Sequence, residues 1–100
     1  MEKPTITIDG NIIPIKTLTG ADWRILGEFL NEDIKPSQAD YIEKHATFIA
    51  HFFDGVTSAD ILKMPLEDIM PLVGDIQKYF TATISGKLDE ISKNAEPGNP

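Results

Sequence analysis

The sequence predicts a mainly α fold of the α+β kind, with an N-terminal β-hairpin followed by a bundle of about four helices, the last of them long. Three observations predict it. Asp9-Gly10 separates two runs rich in β-branched residues, Thr5 to Ile8 and Asn11 to Lys16. Tyr41 to Phe53 carries two adjacent apolar rows at helical spacing. From Leu66 to Ile91, apolar residues recur at intervals of 3 or 4. One domain is expected over 1–93, with the hairpin at 3–17 and a disordered polar tail over 94–100.

The hairpin rests on turn chemistry. A two-residue Asp-Gly loop suits a type I′ turn, which needs positive φ at both central positions. Strands are expected near 4–8 and 11–16. Pro14 cannot donate to a ladder, so its nitrogen must face an open edge. Two strands alone are marginal in water, so the hairpin must lean on the helices or on another chain.

Thr19 reads as the N-cap of a first helix over about 20–31, with Asp22 three residues on, where negative charge suits the helix dipole. Trp23, Leu26, Phe29 and Leu30 recur at helical spacing, with Ile25 beside them. A lone tryptophan in so small a domain is read as core. Pro36 ends the preceding segment, and Ser37 is the expected cap of the next helix.

That next helix is the organising element. Ile42, Ala46, Ile49 and Phe53 form one row, and Tyr41, His45, Phe48 and Phe52 the other. Together they exceed the usual apolar stripe of ~100°, so the helix should be covered on more than one side. Ile42, Ile49, Phe52 and Phe53 are expected in the core. Asp54-Gly55 stops the helix, with Gly55 suited to a left-handed conformation. Thr57 or Ser58 caps a short helix through Lys63. Pro65 fits the first position of the final helix, which is expected to run to about 92. Pro71 argues for a break or kink near 67–70, or for a start there.

Composition bounds the function. One hundred residues suit one domain and one core. With no cysteine there is no disulfide framework, thiolate zinc site or cysteine nucleophile, which fits a reducing compartment. Met1 to Pro4 is not the basic start of a signal peptide, and no apolar run approaches the ~18 residues of a membrane span. The protein is therefore expected in the cytoplasm. Sixteen acids against nine bases give a net charge of -7, so direct binding to nucleic acid, which relies on neutralising phosphates, is not expected.

No constellation of catalytic residues stands out. His45 and His51 are six apart, on different helix faces, and make no paired metal site. His45 reads as a core or boundary residue and His51 as exposed. Asp54 to Asp60 lacks the alternating ligands and distal glutamate of a calcium loop. Ser85-Gly86-Lys87 lies inside a helical pattern, not after a strand, and is no phosphate-binding loop. No catalytic residue, cofactor or metal is assigned. The final helix should outreach the body, which leaves Ile84, Leu88 and Ile91 without an internal partner and marks them as partner-binding residues, unless the helix folds back at Gly86 or the hairpin covers its stripe.

Several segments carry a family resemblance: Ile8 to Gly10, Thr19 to Leu26, Phe52 to Thr57, Pro65 to Ile69 and Lys87 to Asn94. In order and spacing, the run from Ile6 to Asn94 resembles the small tail assembly chaperones of long-tailed bacteriophages and prophages. The resemblance implies a protein of the bacterial host cytoplasm that binds the tape-measure protein and keeps it soluble. It also implies help for tail-tube subunits assembling around that protein, and absence from the mature virion. No catalytic residues come with it. An acidic regulatory or inhibitory adaptor is the alternative, and clustering of the acids on one face would favour it. A homo-oligomer is left open.

Overall fold

Asp9 and Gly10 take φ values of 50° and 82°, the positive pair that a type I′ turn requires. The structure is a computed structural model, and it describes the backbone of residues 3–95 and the side chains of residues 3–86. Strands β1 (Thr5–Ile8) and β2 (Asn11–Pro14) pair antiparallel, with Ile6 opposite Ile13 and Ile8 opposite Asn11. β2 is shorter than expected, although the Ile15 N–H still donates to the Pro4 carbonyl at 2.9 Å. The next amide, Lys16, donates to the carbonyl of Phe52 at 2.8 Å and leaves the hairpin for the helices. Ile6 and Ile15 are buried, with Ile8 and Ile13 packed beside them, while Ile12 points to solvent. This is the period of 2 of a half-buried strand.

Helix α1 (Gly20–Asn31) has Thr19 as its N-cap, as expected. Its buried residues are Asp22 and Leu26, one turn apart. Trp23 was expected in the core but is 52% exposed, and its ring leans on Phe80 at 5.8 Å. The physical reason is the neighbouring residue: Asp22 is turned inward by its hydrogen bonds, and that orientation places Trp23 at the edge of the stripe.

Helix α2 (Tyr41–His51) starts later than Ser37 would allow, with Asp40 as its N-cap. Gln38 closes a turn first. Its side-chain oxygen accepts from the Lys35 amide at 3.0 Å, and its own amide donates to the Lys35 carbonyl at 3.0 Å. Ala46, Phe48 and Ile49 are buried on α2, and Phe52 and Phe53 follow immediately. Ile42, expected in the core, is half-buried at its margin. α2 packs against both α3 and α4, which makes it the central helix. It ends earlier than expected, in a tight turn where the Phe52 amide bonds to Ile49 and the Phe53 amide to Ala50. Gly55 then reverses the chain at φ 78°.

Helix α3 (Ser58–Leu62) has Thr57 as its cap, with a reciprocal capping box. The Asp60 amide donates to the Thr57 hydroxyl at 3.2 Å, and the Thr57 amide donates to the Asp60 carboxylate at 2.9 Å. Helix α4 (Leu66–Ala95) begins just after Pro65, whose carbonyl accepts the first helical bonds from Asp68 and Ile69. No break occurs at Pro71. The missing N–H orphans only the carbonyl of Glu67, an exposed residue that water can serve. Ile69, Leu72, Ile76 and Phe80 are the buried row of α4. The expected tail covers Asn94 and Ala95, which end α4, and 96–100, which lie outside the described residues.

Thirty residues of helix span about 45 Å. The longest dimension of the molecule is 53 Å, against 33 and 23 Å for the others, and the radius of gyration is 16.0 Å. A compact 100-residue chain would be near ~13 Å. α4 therefore sets the elongation. Among the described residues, no helix is long and apolar enough to cross a membrane.

Candidate functional site

Beyond Phe80, α4 has no buried side chain among the described residues. Ile84 lies one turn after Phe80 on the same face and is 39% exposed. Trp23 lies over Phe80 at the near end of this strip, tilted by 51°. The threonines alongside turn their hydroxyls inward: Thr81 donates to the Gln77 carbonyl at 3.1 Å, and Thr83 to the Tyr79 carbonyl at 2.8 Å. Their methyl groups add to the apolar character of that stretch. The side chains of Leu88 and Ile91, named with Ile84 from the sequence, lie outside the described residues. Trp23 was missed because a lone tryptophan reads as core; its place directly after an N3 aspartate carries no signal that the aspartate goes inside.

A second arrangement was visible in the sequence only in part, in the pairing of Thr19 with Asp22 at the start of α1. Asp22 is only 2% exposed. Lys16 Nζ donates to its two oxygens at 2.9 and 3.1 Å. The Thr19 amide and hydroxyl donate to Oδ2 at 2.8 and 3.1 Å. His51 Nε2 lies 3.0 Å from Oδ1. Burial by itself raises the carboxyl pKa, but the bonds from Lys16, Thr19 and His51 outweigh it and hold it at about 2. The cluster joins the end of the hairpin, the start of α1 and the end of α2. Its charges and donors are directed at one another, and its role is structural.

His45 is buried, as expected, with Nδ1 2.7 Å from the Tyr41 carbonyl and its ring edge-on to Phe29. Among the described residues, no group of three or more histidines and acids could hold a metal.

A third feature is an open groove of about 510 Å³ between α1 and α2. Ile25, Phe29 and Phe48 supply its apolar floor, with Phe29 stacked on Phe48 at 4.1 Å. Glu28, Glu32, Asp40 and Glu43 surround it, with Lys44 as the one lysine. Lys44 is held by Glu32 at 2.8 Å and lies 3.9 Å from Asp40. Elsewhere, acids sit at the hairpin turn (Asp9), on α3 (Asp60) and on α4 (Glu67, Asp68 and Asp75).

Compared with known proteins, the chain matches no family model, no curated protein and no solved structure.

Proposed function

We propose that this protein is a tail assembly chaperone of a long-tailed phage or prophage. In this reading it binds the tape-measure protein in the host cytoplasm, keeps it soluble while tail-tube subunits assemble, and is absent from the finished virion. The observation that carries the reading is the pair of exposed apolar side chains, Trp23 on α1 and Ile84 on α4, on either side of the buried Phe80. Leu88 and Ile91 continue the row of Ile84 by sequence spacing. A long, largely helical and aggregation-prone partner needs an apolar helical surface on a well-solvated body. A net charge of -7 supplies the solvation. The spread of acids over the turn, the groove, α3 and α4 supports this reading over an acidic mimic of nucleic acid. The test is co-expression with the product of a neighbouring gene that encodes a very long helical protein. The soluble fraction of that product should rise with this chain and fall back with Ile84→Glu. Failure with every long helical product of the locus, when both proteins express, overturns the reading.

A further inference from the structure

We infer that the groove between α1 and α2 docks a basic amphipathic helix of the partner, with aliphatic anchors on the floor and lysines or arginines against the rim. The inference rests on the chaperone reading for the identity of the partner, but not for the chemistry of the groove.

The floor is ready-made. Phe48 is buried and stacked on Phe29 with their planes 18° apart, and Phe29 is also packed edge-on by His45. Phe29 and Ile25 remain half-buried, so apolar surface is left open to an incoming side chain. Two helices flank that surface, and the ridges of a third helix fit such a furrow.

The rim sets the sign of the occupant. Four carboxylates line the groove against the single lysine, whose ammonium is already held by Glu32. Arg24 reaches Glu28 only at 4.0 Å, with both side chains largely exposed. Glu43 has no ion pair among the described residues. His51 closes one end, with its Nε2 turned to Asp22. An anionic headgroup or nucleic acid would meet like charge here. So would a second copy of this chain, which carries a net charge of -7. A helix with lysines beside its apolar row meets complementary charge on both flanks.

The test uses the full chain and two labelled helical peptides. Both carry leucines at positions i, i+3, i+4 and i+7. One has flanking lysines and the other has flanking glutamates. In fluorescence anisotropy at low salt, the lysine peptide should bind at least about tenfold more tightly, and salt should narrow the difference. Glu28→Lys with Glu43→Lys should remove that preference, with an unchanged melting temperature because both side chains are exposed. Equal binding of the two peptides, or an undiminished preference in the double variant, overturns the inference. Co-expression separates the two proposals. If the double variant solubilises the long helical product as well as the parent does, the groove proposal fails and the chaperone reading stands. If the parent solubilises none but prefers the lysine peptide through the groove, the chaperone reading fails and the groove stands.

Discussion

Asp22 and His51, 29 positions apart in sequence, meet at 3.0 Å across the junction of α1 and α2. The carboxylate is buried and the imidazole partly exposed, with Lys16 completing the link from the hairpin side. Asp22 is thus the point where three elements are tied together.

The Asp22 carboxyl is lowered from its ordinary value of 3.8 to about 2, first against burial, then by Lys16, Thr19 and His51. A depressed folded-state pKa means that the unfolded chain binds the proton more tightly. The stability from Asp22 is complete above about pH 4 and is lost as pH falls towards 2. The shift is worth roughly 2 kcal/mol. Asp22→Ala should cost about 3 kcal/mol, since it leaves Lys16 without its partner. His51→Ala should cost only about 1 kcal/mol, because Lys16 and Thr19 still serve the carboxylate. Urea denaturation at pH 7 and near pH 3 checks both the order of the variants and the partial loss, by roughly half, of the Asp22 effect in acid.

Phe53 is 1% exposed, just past the end of α2. Phe53→Ala should cost roughly 3–5 kcal/mol through lost transfer energy and a residual cavity. Small domains hold ~5–15 kcal/mol in total, so little folded protein should remain at a moderate urea concentration. A denaturation midpoint equal to that of the parent would remove Phe53 from the core.

Pro71 lies inside α4, is exposed, and is followed by the buried Leu72. Replacing it with alanine restores one backbone donor to the Glu67 carbonyl and relieves a position that ordinarily costs a helix about 3 kcal/mol. Pro71→Ala should raise stability, by about 1 kcal/mol or more. The gain is less than the full penalty because the Glu67 carbonyl belongs to an exposed residue, where water can take the place of the missing donor. A lower melting temperature would mean that the proline positions the start of α4 against β1.

Ile84 is exposed, so Ile84→Glu should leave the melting temperature within a few degrees of the parent while it reduces binding to a long helical partner. Leu88→Glu with Ile91→Glu should behave in the same way. Collapse of the fold in Ile84→Glu, seen by circular dichroism, would assign this part of α4 to the core instead.

Much of the fold was legible because its signals are local. Asp9-Gly10 specifies its own turn, Thr57 and Asp60 cap α3 within one helical turn, and Gly55 takes the positive φ read from its type. The 3-and-4 rhythm of Ile69, Ile76 and Phe80 marks the buried face of α4, although Leu72 rather than the expected Val73 is buried between them and Leu66 is exposed. The start of α2 was misplaced because Ser37 is a good cap by type, whereas the turn closed by Gln38 competes with it.

The candidate surfaces were less legible. Ile84 could be named from helix length alone. Trp23 could not, because its exposure depends on Asp22, and the inward turn of Asp22 depends on Lys16 and His51. The groove could not be foreseen either: Phe29 and Phe48 come from different helices, and Glu28 and Glu43 sit on the two banks. Sequence by itself determined the elements, their turns and their apolar faces, since those follow from backbone conformations and periodicities within a few residues. Tertiary structure alone decided which of two adjacent residues on α1 goes inside, and which acids share a rim. The reason is that the energy of a buried carboxylate is set by donors that only folding brings within 3 Å.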